Sequence, residues 1–227
     1  MKLLNSVILA RGGSKGVPGK NIKEINGIPL LGYPIIAAKK SEYISDIYVS
    51  TDDINIKKVA LEYGAEVIDR PKDIARDDTT DVESMRHAVE FLNSTDDIVH
   101  LRATTPMVKS DVLDKAIEYF FENEDCTSLR SGHESPETAY KSFKKKMGKY
   151  WGGLFDNEYE GEYYNLPRQQ LPITYQPNGY VDIVRPKQFM NNDSFHGNRM
   201  LAFETEFSYE VDTPDDFKIL EVVYGKN

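Results

Sequence analysis

The most constraining feature of this chain lies near its beginning, where a short apolar run is followed at once by a basic, glycine-rich segment. Residues 7–10 predict a buried strand, and residues 11–21 contain four glycines and two lysines. Glycine has no Cβ, so backbone N–H groups in such a loop can approach an anion closely. A triphosphate is the ligand that this combination of loop and charge favours.

The side chains of this loop strengthen the prediction of a phosphate site. Arg11, Lys15 and Lys20 supply positive charge, and Ser14 supplies a hydroxyl donor. The loop is not a P-loop, which would carry glycine at Ser14 and serine or threonine at Asn21, and the dinucleotide spacing Gly-x-Gly-x-x-Gly is absent. An ordinary basic turn is the alternative, but three cations in one glycine-rich turn exceed what a turn requires.

Composition narrows the class of protein. The 227 residues suit one domain, 1–227, and 28 basic against 37 acidic residues give a net charge of −9. That charge argues against nucleic acid or an anionic membrane as a partner. The chain has one cysteine, Cys126, so no intrachain disulfide can form, and no secretory signal or membrane span is visible. We therefore expect a soluble, cytoplasmic protein.

Strands and helices are predicted to alternate along most of the chain. Apolar runs and turn residues predict strands at 7–10, 46–52, 65–68, 97–101, 126–129, 180–184 and 208–212. Helices are predicted at 30–40, at 54–63 before Gly64, and at 111–122 with Ser110 as N-cap. Another helix follows a capping box formed by Thr80 and Glu83. The last helix is predicted to begin at Pro214, with Thr213 as N-cap, and to end at Gly225. Pro177 to Gly179 predict a tight turn before the strand at 180. The alternation indicates an α/β sandwich with a mainly parallel sheet.

Polar residues follow four of the predicted strands. Arg11, Asp52, Arg70 and Arg102 all lie just beyond a strand end. In parallel α/β sheets ligands bind at the carboxyl ends of the strands. The sequence therefore predicts a binding site at this edge of the sheet.

Residues 132–170, called the arm below, interrupt the alternation. The arm has no helical period, contains a lysine run at 144–146, and is rich in aromatic residues that include Trp151 and Tyr163. Aromatic residues at this density favour an interaction surface over a solvated loop. We expect a small β-rich insertion.

Two acidic residues near the end of the chain are candidates for a metal site. Glu210 and Asp212 are two apart on the predicted strand 208–212, which would place both carboxylates on one face. Mg²⁺ is commonly held by one or two carboxylates together with substrate phosphates. Asp215 and Asp216 fall in the first turn of the last helix, where they suit its dipole instead.

Several motifs resemble one family over essentially the whole chain. The sequence Ala-Arg-Gly-Gly-Ser-Lys-Gly-x-Pro-x-Lys-Asn from Ala10 resembles the N-terminal signature of the acylneuraminate cytidylyltransferases, also called CMP-N-acetylneuraminate (CMP-sialic acid) synthetases. Further matches, in family order, begin at Asn26 (Asn-Gly-Ile-Pro-Leu-Leu-Gly), Val49 (Val-Ser-Thr-Asp), Arg70 (Arg-Pro), Thr104 (Thr-Thr-Pro), Pro167 (Pro-Arg-Gln-Gln-Leu-Pro), Pro177 (Pro-Asn-Gly) and Val211 (Val-Asp-Thr).

The resemblance implies a fold, a reaction and a set of partners. The fold is a Rossmann-like three-layer sandwich with a mixed, mainly parallel sheet of the nucleotide-diphospho-sugar transferase type. The enzyme transfers CMP from CTP to the anomeric hydroxyl of a nonulosonic acid and releases pyrophosphate, for use in cell-surface polysaccharide. Mg²⁺ is the cofactor, and the arm joins two subunits in a homodimer and helps to cover the active site.

The resemblance also implies roles for individual residues. Catalysis falls to Arg11, Lys15, Lys20 and Asp212, and Asp212 holds the metal together with Glu210. The nucleotide is bound by Arg11, Gly12, Gly13, Ser14, Lys15, Lys20, Asn21, Arg70 and Asp81. The acidic sugar is bound by Arg102, Thr104, Arg168, Gln176, Asn178 and Asp182.

The chain departs from the family pattern mainly at the sugar end. Arg102 stands where the family has glutamine, Gln176 where it has arginine, and Asp182 where it often has tyrosine. Asp81 replaces a small hydroxyl residue, and Glu210 replaces the first aspartate of an Asp-x-Asp pair. The identity of the sugar therefore stays open, and so, to a lesser extent, does the identity of the nucleotide base. The alternatives are another 3-deoxy-2-ketosugar acid, a sugar 1-phosphate, or a nucleotide-binding protein without activity.

Overall fold

Strands and helices alternate through most of the chain. The computed structural model describes residues 2–191 and 193–224. Its strands are β1 (Leu4–Leu9), β2 (Glu24–Ile25), β3 (Ile28–Pro29), β4 (Ile44–Thr51), β5 (Glu66–Asp69), β6 (Ile98–Arg102), β7 (Ser128–Glu134), β8 (Phe143–Lys146), β9 (Tyr150–Gly153), β10 (Tyr175–Val184) and β11 (Met200–Glu204). Its α-helices are α1 (Gly32–Lys40), α2 (Ile54–Glu62), α3 (Asp81–Leu92), α4 (Ser110–Glu122), α5 (Pro186–Phe189) and α6 (Pro214–Tyr224).

Seven of these strands form the central sheet, in the order β11-β7-β10-β6-β1-β4-β5. β10 runs antiparallel to its neighbours β6 and β7, and the other pairings are parallel. The carboxyl ends of β1, β4, β5, β6 and β7 therefore meet at one edge. The expected mixed, mainly parallel sheet is confirmed.

Alternate residues of each strand face opposite layers of helices. On β1, Val7 packs into a buried cluster with residues of α3 and α5, whereas its neighbour Ile8 packs with residues of α1, α2 and α4. Both side chains are fully buried, and each stabilises the fold by roughly 1.5–3 kcal/mol through removal of apolar surface from water. The central strands are thus apolar on both faces, as expected of a sheet covered by helices on both sides.

The helix starts follow the predicted capping chemistry with one exception. The side chains of Thr80 and Glu83 form the predicted capping box at α3, and α6 begins at Pro214, with Thr213 Oγ1 accepting from the Asp216 N–H at 3.4 Å. The N-cap assigned to Ser110 is wrong, because α4 already includes Ser110 and no side chain caps it. The predicted end of the last helix, Gly225, lies outside the described residues.

A strand predicted at 208–212 is wrong, and the strand β11 was not predicted. Residues 207–212 form no ladder; the Val211 N–H donates a single backbone bond to the Thr104 carbonyl, at 2.9 Å. The apolar alternation has another cause, because Val211 is fully buried in a third cluster with Phe217 and Leu220 of α6. The apolar alternation in residues 208–212 therefore reflects packing against α6 and not pairing in a sheet.

The tight turn predicted at Pro177 to Gly179 is also wrong, because these residues lie inside β10. β10 pairs with β7 on both sides of a register shift between Pro177 and Asp182. Gly179 has φ +62°, and a Cβ there would lie 2.6 Å from Arg102 Cδ. The glycine at this irregularity leaves room for the Arg102 side chain next to β10.

Most of the arm leaves the sheet after Glu134, and the chain rejoins it at Tyr175, which is paired in register with Glu134. The excursion carries the hairpin β8–β9 and stacked aromatic rings, such as Tyr140 and Phe155 at 4.4 Å between centroids. Other aromatic side chains stay exposed, including Trp151 at 66%. Among the described residues, no helix is long and apolar enough to span a membrane.

Candidate active site

A cavity of about 320 Å³ opens at the carboxyl ends of β1 and β6. Four chain segments meet there (9–21, Asp81, 100–104 and Asp212), and most of the lining side chains are polar or charged. The lining residues are Leu9, Arg11, Ser14, Lys15, Gly16, Lys20, Asn21, Asp81, His100, Arg102, Ala103, Thr104 and Asp212. The site predicted at this sheet edge therefore coincides with a real concavity.

The phosphate loop, residues 11–21, is held in shape by its own polar groups. Buried Asn21 donates from Nδ2 to the Arg11 carbonyl, at 3.0 Å, and so closes the loop on itself. The Gly12 N–H donates to Asp52 Oδ1 at 2.9 Å, which ties the loop to the end of β4. A Cβ on Gly12 would lie 2.8 Å from the Cβ of Asp53, so the close approach needs glycine. Gly13 has no such neighbour.

The segment that carries Asp212 lies directly against this loop. A Cβ on Gly16 would lie 2.6 Å from the Asp212 carbonyl oxygen. Next to these two residues, Val17 and Val211 are buried in the cluster formed with α6. Apolar packing on α6 thus brings a residue from near the end of the described chain to the loop near its beginning.

Lys20 and Asp212 form the polar centre of the cavity. Lys20 Nζ lies 3.0 Å from Asp212 Oδ1 and donates to the Val211 carbonyl at 2.7 Å. The lysine side chain is 15% exposed and the Asp212 carboxylate 69% exposed, so the carboxylate can accept further ligands from the cavity side. Glu210 does not line the cavity; its Oε1 accepts from Thr104 Oγ1 at 3.0 Å.

The donor set fits a Mg²⁺ ion that is completed by substrate. Within residues 2–191 and 193–224 there is no cluster of three or more acidic, histidine or cysteine side chains that would hold a metal ion by itself. Mg²⁺ needs only one or two carboxylates when phosphates and water provide the remaining oxygens. The accessible carboxylate of Asp212 suits that role, and Glu210 is two residues away.

Asp77 lies at the rim, outside the cavity lining, and contacts two of the lining cations; the sequence assigned it no role of its own. Its Oδ1 accepts from Arg11 Nη1 at 2.5 Å, and its Oδ2 pairs with Lys15. Hydrogen bonds from Lys15 and Arg11 lower the pKa of the Asp77 carboxyl below its usual range. Its place in an acidic turn just before the capping box was the available signal, but the turn held several aspartates.

The two residues predicted near the nucleotide base have different surroundings. Arg70 is buried behind the cavity, where it donates to Ser50 Oγ at 3.0 Å and to the Ser50 carbonyl at 2.8 Å. Burial lowers the pKa of Arg70 to about 10. Asp81 lines the cavity and accepts from Arg102 Nη1 at 3.1 Å.

Polar side chains in one row of the sheet occupy the region where the sugar is predicted to bind. His100 on β6, Asp182 on β10 and Arg130 on β7 stand in register. Buried Asp182 lies 3.5 Å from Arg102 Nη2 and 3.7 Å from Arg130 Nε, and its Oδ1 has no hydrogen-bond partner among the described residues. Arg130 was missed, although its register with Asp182 could have been found had β10 been paired with β7.

Buried His100 and half-buried His196 lie at this row. Burial, helped by the charge of Arg102, lowers the pKa of His100 to about 4. Burial and Arg130 lower the pKa of His196 to about 4, and Arg130 Nη1 lies 3.1 Å from His196 Nε2. Both rings are therefore neutral near pH 7. The sequence suggested no catalytic histidine, and both rings lie beside the row without adding charge; His100 also lines the cavity.

Four residues predicted to bind the sugar lie outside the cavity lining: buried Asp182 and the three that follow. Exposed Arg168 pairs with Glu134, at 2.8 Å, and Gln176 is exposed on β10. Asn178 is buried, and its amide is engaged by the hydroxyls of Ser131, at 2.8 Å, and Thr205, at 2.6 Å. Their roles stay predictions.

The sequence matches known proteins along most of its length. A family model described as cytidylyltransferase matches residues 6–164. The chain is 31% identical over 222 residues to the post-translational flagellin modification protein B of Campylobacter coli, covering 94% of this chain and 92% of that protein. It is also 31% identical over 219 residues to the N-acylneuraminate cytidylyltransferase of Streptococcus agalactiae serotype V, covering 93% of this chain. It spans 51% of the streptococcal protein's length.

Solved structures share the fold. A CMP:2-keto-3-deoxy-manno-octonic acid synthetase complexed with CTP superposes with a TM-score of 0.75 at 16% identity, covering 100% of this chain and 99% of that one. A 4-diphosphocytidyl-2C-methyl-D-erythritol synthase gives a TM-score of 0.69 at 15% identity, covering 99% and 100%. The predicted nucleotidyltransferase type of α/β fold is confirmed.

Proposed function

The chain belongs to the cytidylyltransferase family, and we propose that it transfers CMP from CTP to the anomeric hydroxyl of an acidic, sialic-acid-like sugar. The acceptor oxygen bonds to the α-phosphorus, the bond from that phosphorus to the β-phosphate breaks, and pyrophosphate leaves. The acceptor hydroxyl loses its proton. The observation that carries this proposal is the cavity in which the phosphate loop meets Lys20 and Asp212.

In this reaction the phosphate loop binds and orients the triphosphate. Such chemistry depends mostly on positioning and on neutralising charge that develops on phosphate oxygens. Arg11, Lys15 and Lys20 bring three positive charges to the cavity, and the glycines allow backbone N–H groups to approach. Lys20 is held by the Val211 carbonyl and by Asp212, so its ammonium group is fixed before the nucleotide arrives.

We propose Mg²⁺ as the cofactor, held by Asp212 with help from Glu210. The ion would neutralise phosphate charge and assist departure of pyrophosphate. Asp212 supports this role because its carboxylate is exposed to the cavity and touches the Lys20 ammonium group. Glu210 gives weaker support, because its carboxylate is two residues away and bonded to Thr104 outside the cavity lining.

The acceptor would bind beyond the phosphates, along Arg102 and Asp182. Arg102 lines the cavity with about a quarter of its side chain exposed, and a guanidinium suits the carboxylate of an acidic sugar. Behind Arg102, buried Asp182 lies 3.5 Å from Arg102 Nη2 and would hold that guanidinium toward the acceptor. Similarity to an N-acylneuraminate cytidylyltransferase supports an acylated nonulosonic acid as the first acceptor to test.

We further propose that the protein acts as a homodimer in the cytoplasm, where CTP is available. The arm supports a dimer because Phe143, Tyr150 and Trp151 are each about half exposed or more. Sedimentation of the purified chain should show a dimer, and the double variant Phe143→Ser/Trp151→Ser should shift it toward monomer. A monomeric wild-type protein at micromolar concentration would contradict this proposal.

The proposed function is tested by measuring pyrophosphate release with Mg²⁺. CTP, GTP, UTP and ATP would be crossed against N-acetylneuraminic acid, 2-keto-3-deoxy-manno-octonic acid and a set of sugar 1-phosphates. We expect release with CTP and a nine-carbon acidic sugar. Release with a sugar 1-phosphate alone would overturn the acceptor class, and no release with any pair, while CTP still binds, would support a protein without activity.

A further inference from the structure

We propose that Asp77 is a positioning residue that holds Arg11 and Lys15 in the arrangement needed for nucleotidyl transfer. The inference rests on the proposed function. Asp77 lies outside the cavity lining, and it acts through the two cations that it contacts. Neither the sequence motifs nor the comparisons assign it a role.

The contact geometry gives each cation its own carboxylate oxygen. Arg11 Nη1 lies 2.5 Å from Asp77 Oδ1, while the Lys15 ammonium group pairs with Oδ2. The two cations come from one short loop, so their side chains would repel each other without a counter-ion between them. Within the described residues, Asp77 is the ion-pair partner recorded for both side chains.

The turn that presents Asp77 is itself fixed. The Arg76 N–H donates to Thr79 Oγ1 at 3.1 Å, and the Thr79 N–H donates back to the Arg76 carbonyl at 3.3 Å. Thr80 then begins α3 through its capping box. The neighbouring Asp78 stays within the turn, where Oδ1 accepts from Arg76 Nε at 3.1 Å. Asp77 is thus held in place on both sides while its side chain crosses to the phosphate loop.

Holding Arg11 in this way leaves it able to bind phosphate. A guanidinium carries five N–H donors, and Asp77 takes one of them at Nη1. The remaining donors can meet phosphate oxygens while the ion pair keeps the planar group in one orientation. Lys15 is 81% exposed, so its position depends even more on this contact.

Removing the Asp77 charge should therefore have opposite effects on binding and on chemistry. A negative charge at the rim opposes a polyanion, so its loss favours nucleotide binding. The loss of orientation slows the chemical step, because a catalytic group displaced by about 1 Å can cost roughly 10²-fold in rate. If Asp77 only stabilised the fold, its substitution would weaken nucleotide binding, slow the chemical step and lower thermal stability together.

The test compares Asp77→Asn with Asp78→Asn, which makes the same change of charge one residue along. For Asp77→Asn we expect kcat to fall about 10- to 100-fold. Its Kd for CTP and for inorganic tripolyphosphate, measured by calorimetry, should stay unchanged or tighten up to about threefold. Asp78→Asn should change each value by less than about twofold, and Asp77→Glu should recover much of kcat.

Two results would overturn the proposal. One is a kcat for Asp77→Asn equal to that of Asp78→Asn. The other is a parallel loss of kcat, CTP affinity and Tm, which marks a structural role. If the wild-type protein releases no pyrophosphate, the proposed function fails, and the positioning claim is tested separately through the side-chain ¹⁵N signals of Arg11. Guanidinium rotation that is restricted in the wild type and in Asp78→Asn but free in Asp77→Asn supports the claim. Equal rotation in all three proteins contradicts it.

Discussion

The phosphate end and the sugar end of the cavity are built in different ways. At the phosphate end, one short loop after one strand supplies Arg11, Lys15 and Lys20, and a buried apolar cluster brings Asp212 against it. At the sugar end, Arg102 and neutral His100 of β6 and Arg130 of β7 surround buried Asp182 of β10 at 3.5 to 3.8 Å, and its Oδ1 accepts no hydrogen bond from the described residues. The first end is packed and paired, whereas the second has unfilled hydrogen-bonding capacity.

This difference suggests that the two ends constrain different parts of the reaction. A fixed, multiply anchored loop suits a ligand group that is the same for every cytidylyltransferase, the triphosphate. A polar row with spare donors and acceptors suits the part of the substrate that differs from one enzyme to the next. We therefore expect changes at the phosphate end to lower kcat and changes at the sugar end to raise the KM for the acceptor.

The largest effect is expected for Asp212→Asn. Loss of the carboxylate removes the proposed metal ligand and the partner of Lys20, so kcat should fall roughly 10³-fold. Pyrophosphate release at saturating CTP and acceptor measures it. Asp215→Asn is the matched control, because Asp215 pairs with Lys218 on the surface at 2.7 Å and should change kcat little. Equal activity in the two variants would remove Asp212 from the site.

The next largest effect is expected for Gly16→Ala. The new Cβ would meet the Asp212 carbonyl at 2.6 Å, so the loop and the acidic segment must separate. A displacement of this size should lower kcat/KM for CTP by roughly 10²-fold. Steady-state kinetics and a Tm within a few degrees of wild type would separate this from unfolding. Unchanged kinetics would show that the close contact is not needed.

A smaller and more selective effect is expected for Arg102→Gln at the sugar end. Loss of one charge-assisted hydrogen bond should raise the KM for the acidic acceptor roughly 30-fold, while the KM for CTP changes less than threefold. Arg168→Gln makes a matched comparison, because Arg168 pairs with Glu134 outside the cavity of its own chain. An equal rise in the acceptor KM for Arg168→Gln would show that Arg168 reaches an acceptor site, as the sequence predicts. A large rise in the KM for CTP in Arg102→Gln would contradict the division between the two ends.

The smallest effect concerns stability against acid. Burial lowers the pKa of His100 to about 4, whereas a histidine in the unfolded chain has a pKa of about 6.5. Between pH 4 and 6.5 the unfolded state therefore binds more protons than the folded state. This contribution is present above pH 6.5 and is lost as the pH falls toward 4. Between pH 7 and 5 the free energy of unfolding should drop by about 1–2 kcal/mol because of His100. Urea denaturation should show a shallower pH slope in His100→Gln, and an unchanged slope would contradict the buried neutral state.

Sequence patterns predicted the parts of the molecule that depend on local order. The strand before the phosphate loop, the capping box of Thr80 and the alternation of strands and helices all follow from neighbouring residues. The N-terminal signature predicted the family from one continuous segment. For the same reason, most phosphate-loop residues predicted to bind the nucleotide line the cavity together, although Gly12 and Gly13 do not.

What could not be predicted depends on contacts between distant segments. The alternation at Tyr209 and Val211 indicated a strand, but packing against α6 was its cause. Asp77 and Arg130 gain their surroundings from partners 66 residues away in the chain, Arg11 and His196 respectively, and no local pattern marks them. The sugar end is made of such long-range contacts, which is why its residues were predicted least completely.

The most direct test of the central claim follows the phosphorus atoms of CTP. The purified protein would be incubated with Mg²⁺, an acidic sugar, and CTP labelled either at the α- or at the γ-phosphate. We expect the sugar product to carry the α-label in one-to-one ratio with cytidine, and the γ-label to appear only in pyrophosphate. Transfer of the γ-label to the sugar would mean phosphorylation instead of CMP transfer and would contradict the proposed function.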